Sequence, residues 1–241
     1  AAALAFTFAI ADVLTAQGRL REASRTYEDA LRYAAEQEGP TLPGEAEAHV
    51  GLAEVRVERG DLEGAERELR AGVAQLLAGV LTGDAGRLAA ARARVEVALG
   101  DAPAALAALD EADRLQVAGP VPDIRPTAAT RARVWLAQGR LAEARAWAEE
   151  ESALGEADAS YLNEYALLTL VRVHLATYRS EGSEAPIETA QVLLDAIVEA
   201  AEAGGRTGTV IEARVLQALV RQAAGEEDLG AVSYTHLRAH E

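Results

Sequence analysis

The chain has 241 residues, a formal net charge of −16, no cysteine and 4% aromatic residues. An acidic surface repels phosphate backbones, which argues against a DNA- or RNA-binding module. Without thiols there is neither a disulfide framework nor a thiolate metal site, and no apolar run approaches the ~20 residues of a membrane-spanning helix. The expectation is a bacterial-type cytoplasmic protein whose acidic balance serves solubility.

In chain order, the apolar start AAALAFTFAIADVL carries no basic flank and reads as the first helix, about residues 2–17, cut from a longer protein rather than a signal peptide. A second helix is expected at about 20–37, closed by the Gly39-Pro40 to Pro43-Gly44 turn. Helices then follow up to 59, from 62 to about 79, and from about 84 to 99. The next covers about 102–117, and a stiff loop at Gly119–Pro126 separates it from a helix ending at 138. A short helix from 141 to about 151 is followed by helices at about 158–178, 187–203 and 208–224. Strand-like alternation is absent, so the fold class is all-α.

These helices alternate in a repeat. Five stretches share Ala-x-Val, four residues, then Gly: Ala11–Gly18, Ala53–Gly60, Ala93–Gly100, Ala132–Gly139 and Ala218–Gly225. A sixth copy, Val171-Arg172-Val173, has Tyr178 in the glycine slot. Copies start 42, 40, 39, 39 and 47 residues apart, and a fixed period near 40 means stacked like units. Each unit is an A helix, a glycine turn and a B helix. The B helices open with Leu20/Ala23, Leu62/Ala65, Ala102/Ala105, Leu141/Ala144 and Ile187/Ala190, then Tyr27, Leu69, Leu109, Ala148 and Leu194. That spacing is one helix face. About six such hairpins are expected to form one elongated domain over 1–232, a right-handed superhelix.

Two segments depart from the repeat. Residues 179–186, Arg179 to Pro186, lengthen one turn into an expected polar loop. After Gly225 the sequence lacks a B-helix stripe, and the ending SYTHLRAHE resembles translated sequencing-adapter sequence. Residues 233–241 are therefore expected to be a non-native tail.

No phosphate loop, dinucleotide fingerprint or GxSxG turn occurs. His236 and His240 stand four apart without a third ligand, and His49 and His174 are isolated on helices. Catalytic, metal-binding and cofactor-binding residues are all expected to be none. The strongest candidate site is a ligand- or partner-binding surface on the concave, A-helix side: Arg131, Tyr161, Glu164, Tyr165, Arg206 and Glu212. Two aromatics beside Arg and Glu suit a hydroxyl-rich or peptide ligand. The competing interpretation has the tyrosines filling packing space and Thr207 capping a helix.

The stretches His49–Leu62, Trp135–Leu141, Tyr161–Leu170 and Gly205–Glu212 resemble the MalT-type tetratricopeptide-like region of large LuxR-family transcriptional regulators, over nearly all of 1–232. The period near 40 also exceeds that of ordinary tetratricopeptide repeats. The resemblance implies a sensor arm that receives a small-molecule inducer or a regulatory protein. It also implies a STAND ATPase module before the arm and a helix-turn-helix after it, both absent from this chain. It transfers no contact residues. A free-standing scaffold for protein–protein interaction is the alternative, and a repeat from another signalling ATPase or kinase a third.

Overall fold

A computed structural model describes residues 2–36, 44–77, 85–115, 124–151 and 159–225; the proposed tail at 233–241 and the 39–43 turn residues lie outside them. Among the described residues there are eleven α-helices and no strand. They fall into two compact units, Ala1–Val121 and Pro122–Glu241.

The first unit holds α1 (Ala2–Ala16), α2 (Leu20–Ala35), α3 (Glu45–Glu58), α4 (Leu62–Leu77), α5 (Ala85–Leu99) and α6 (Ala102–Leu115). Each A helix packs on its own B helix, and α3 also packs on α1 and α5. Close packing explains the alanines: Ala11, Ala53, Ala93, Ala23, Ala65 and Ala105 are all fully buried. Tyr27 crosses from α2 to α3, where its ring lies over Gly51; a Cβ there would sit 2.3 Å from the ring. Its hydroxyl donates to Asp12 Oδ1 at 2.5 Å.

The second unit holds α7 (Thr127–Ala137), α8 (Leu141–Glu151), α9 (Glu164–Glu181), α10 (Glu184–Ala203) and α11 (Thr207–Ala223). Helix α9 packs on all four others. Ten of its eighteen residues are accordingly buried. Trp147, Leu167, Leu194, Ile197 and Leu216 form the middle of one core.

The signature glycines end their helices in one way. Gly18, Gly60, Gly100, Gly139 and Gly225 have φ between 72° and 80°. After Gly139, Arg140 N–H donates to Trp135 O at 2.8 Å and Gly139 N–H to Leu136 O at 3.0 Å; the same two bonds close α1, α3 and α5. This is the Schellman ending, which requires a left-handed residue. No atom lies within 4 Å of a Cβ placed on Gly139, so its requirement is conformational rather than steric. Gly139→Ala should therefore cost about 1–2 kcal/mol. Gly208, inside α11 at ordinary φ and equally unobstructed, should gain about 0.5–1 kcal/mol on becoming Ala. Urea unfolding followed by tryptophan fluorescence measures both.

The sixth copy corrects the sequence reading. Its helix does not stop at Tyr178 and residues 179–186 are not a loop. Helix α9 continues to Glu181, and Gly182 takes the left-handed position with φ 68°. A tyrosine pays a steric penalty in that conformation, so the helix runs one further turn to the next glycine. Pro186 then sits in the first turn of α10, where a missing N–H costs nothing. At its other end α9 begins at Glu164 rather than near 158, leaving Tyr161, Leu162 and Asn163 in a turn. Thr207 is the first helical residue of α11 and not its cap; Arg206 occupies the cap position.

Candidate functional site

Four of the six candidate residues fall into two side-chain clusters of the second unit. The first joins Glu164, at the start of α9, to the α10–α11 turn. Arg206 Nε donates to Glu164 Oε2 at 2.8 Å, and Thr209 Oγ1 donates to Oε1 at 2.8 Å. Both carboxylate oxygens are thus used, and the two charged side chains are only 13% and 11% exposed. Gly204 makes room for this contact, since a Cβ there would stand 1.9 Å from Arg206 Nη1. A buried, saturated pair of this kind is a brace between helices and offers little to a ligand.

The second cluster is more open and lies on the face formed by α7, α9 and α11. Tyr165 is half-buried on α9. The Arg133 guanidinium, from α7, stacks on its ring with Cζ 3.9 Å from the centroid, and Arg125 Cζ lies at 6.0 Å. Arg133 is held from three sides. Its Nε donates to Thr169 Oγ1 at 2.8 Å, Nη2 to the Tyr165 carbonyl at 3.4 Å, and Nη1 lies 3.1 Å from Glu212 Oε1. Arg172 Nη2 donates to the same Glu212 oxygen at 2.9 Å. Thr130 Oγ1 gives its proton to the Pro126 carbonyl, so the Tyr165 hydroxyl, 3.2 Å away, donates to Thr130. The charged side chains remain accessible: Arg133 is 19%, Arg172 37% and Glu212 32% exposed.

Arg131 is half-buried two residues before Arg133, and so about 200° round α7. Tyr161 is half-buried in the turn before α9. Among the residues that sequence reasoning passed over are Arg133, Thr169 and Arg172. A signal for the two arginines was present, because each is the middle residue of an Ala-x-Val-type copy. In the first unit the same position supplies Glu54 and Arg94, which form an ion pair between α3 and α5. The repeat therefore builds a charged rung between successive A helices. The last copy has Leu219 at this position, and Glu212, seven residues or about two turns upstream, answers instead.

Burial pushes the Glu212 carboxyl up, but Arg133, Arg172 and Arg125 outweigh it and hold it below its ordinary value of 4.5. A depressed folded-state value means stability that is present above the ordinary carboxyl range and lost as pH falls through the lower value. Glu212→Gln should accordingly narrow the stability difference from the unaltered chain as pH drops from neutral to about 3. Urea midpoints across that range check the sign. Elsewhere, His49 Nδ1 lies 2.9 Å from Glu68 Oε2, and burial holds His174 below its usual value. No cluster of metal-ligating side chains occurs among the described residues, and no helix there is long and apolar enough to cross a membrane.

The family profile for the MalT-like TPR region matches residues 1–233. The chain belongs to this family. No curated protein matches it. As a MalT-like TPR region, it is a tetratricopeptide-like helical domain of the kind found in MalT-type regulators, a scaffold fold rather than a catalytic one. In this MalT-like TPR region the A helices α7, α9 and α11 carry the open arginine–tyrosine–glutamate cluster.

Proposed function

We propose that this MalT-like TPR region is the signal-receiving arm of a LuxR-family, ATP-dependent transcriptional regulator, with the α7–α9–α11 face taking a small inducer or a regulatory protein. The observation that carries this reading is the half-buried Tyr165 ring with Arg133 stacked on it and Glu212 within reach of the same guanidinium. Aromatic faces beside fixed donors are how proteins hold small polar ligands. Helical repeats commonly place such groups on the surface formed by equivalent helices. DNA contact and ATP hydrolysis belong, in this proposal, to a helix-turn-helix and a STAND ATPase module of the same regulator. With a net charge of −16 the arm itself has little attraction for nucleic acid, and a cytoplasmic regulator needs no membrane attachment.

The test is a transcription reporter driven by the full-length gene product. Tyr165→Ala or Arg133→Gln should reduce the ratio of induced to uninduced output at least about tenfold. Glu150→Ala, exposed on α8, should leave the ratio unchanged. An unchanged ratio in both Tyr165→Ala and Arg133→Gln would remove this face from signal reception.

A further inference from the structure

We infer that the Arg133–Arg172 pair is a receptor for an anionic group on a small ligand, a carboxylate or a phosphate, and that Glu212 occupies the place of that group until the ligand arrives. The inference rests on the reading of this face as the receiving one. It starts from charge. Two guanidiniums share one carboxylate, and both meet the same oxygen, Glu212 Oε1, at 3.1 and 2.9 Å. The corresponding rung of the first unit sets Glu54 against Arg94. In the second unit the same position has given two arginines for one acid.

The donors are also unequally engaged. Arg133 is fixed by Thr169, by the Tyr165 carbonyl and by the Tyr165 ring. Arg172 makes one side-chain hydrogen bond, to Glu212, and its Nε is buried without a partner. A planar carboxylate or a phosphate can present two oxygens to two forks, which a side chain tethered to α11 and meeting both through one oxygen does not achieve. The partial exposure of all three groups lets such an anion approach. A ligand that displaces Glu212 also releases an acid that joins α11 to both α7 and α9 at this face, so binding is coupled to helix contacts within the unit.

The experiment is calorimetric titration of the full chain with succinate, inorganic phosphate and neutral succinamide at fixed ionic strength. Unaltered chain, Glu212→Gln and Arg172→Gln are compared, with helical content checked by circular dichroism. Succinate or phosphate should bind the unaltered chain and succinamide should not. Glu212→Gln should bind the anion about tenfold tighter, because the internal competitor is gone, and Arg172→Gln about tenfold weaker. Preference for succinate identifies a carboxylate ligand, and preference for phosphate a phosphoryl one. The inference is overturned if neither anion binds the unaltered chain, if a folded Glu212→Gln binds no tighter, or if succinamide binds as well as succinate. The unaltered chain with the three probes decides by itself should Glu212→Gln fail to fold. Absence of anion binding with induction still dependent on Tyr165 removes the anion assignment alone; loss of both removes the receiving face as well.

Discussion

Arg206→Ala is expected to destabilise the second unit by about 3 kcal/mol, the effect of removing one partner of a buried ion pair. The cost comes from what is left behind. Glu164 keeps only the Thr209 hydroxyl, and its second carboxylate oxygen loses its cation in a place where the side chain is 11% exposed. Glu164→Ala should cost a comparable amount by stranding Arg206. The double replacement should cost less than the sum of the two, since neither charge is then left alone. Both tryptophans, Trp135 and Trp147, lie in this unit, so urea unfolding followed by their fluorescence reports on it selectively. Additive single and double variants would show that the pair is not the brace its geometry describes. As a control, breaking the exposed Arg214–Glu202 pair of the same unit should change stability by no more than about 1 kcal/mol.

Leu194→Ala should be the more damaging of the core changes, at about 3–4 kcal/mol, because a fully buried leucine leaves both lost transfer energy and a cavity. Leu194 lies in the cluster that contains Trp147, Leu167, Ile197 and Leu216. Those large side chains are held by four different helices, so they cannot all collapse into the space. Val192→Ala, on the same helix but 46% exposed, should change stability by no more than about 0.5 kcal/mol. The same fluorescence-detected unfolding distinguishes the two. Equal effects would mean that the repeat stripe does not mark the packed side of α10.

The repeat was legible because one physical requirement recurs at one position. A helix that must end left-handed needs glycine, and Gly18, Gly60, Gly100, Gly139 and Gly225 all have positive φ. The buried alanines were legible for the same reason: Ala23, Ala65, Ala105, Ala144 and Ala190 are each fully buried where helices meet. Where the signature lost its glycine, the reading failed. Tyr178 marked the aligned position but not the helix end, since a backbone ending follows conformational freedom and not alignment.

The site was legible only in part. Tyr165 and Glu212 stood out by residue type, and Glu164 and Arg206, grouped with them, bond to each other. What residue type did not convey is that Glu164 and Arg206 satisfy each other. Pairing across 42 residues depends on how α9 and the α10–α11 turn come together, and no local pattern encodes it. Arg133 and Arg172 were hidden differently. Flanked by buried small and branched residues, they read as spacing within the signature, although that spacing aims them at the neighbouring A helix.

The most direct test of the Arg133–Arg172 pair as an anion receptor is guanidinium and aromatic NMR on the full chain during titration with succinate and with phosphate at constant ionic strength. The Nε–Hε resonances of Arg133 and Arg172 and the ring resonances of Tyr165 should move together and saturate together. Those of Arg206, committed to Glu164, should stay in place. Movement confined to arginines outside the α7–α9–α11 face, or no movement at all, would contradict that assignment.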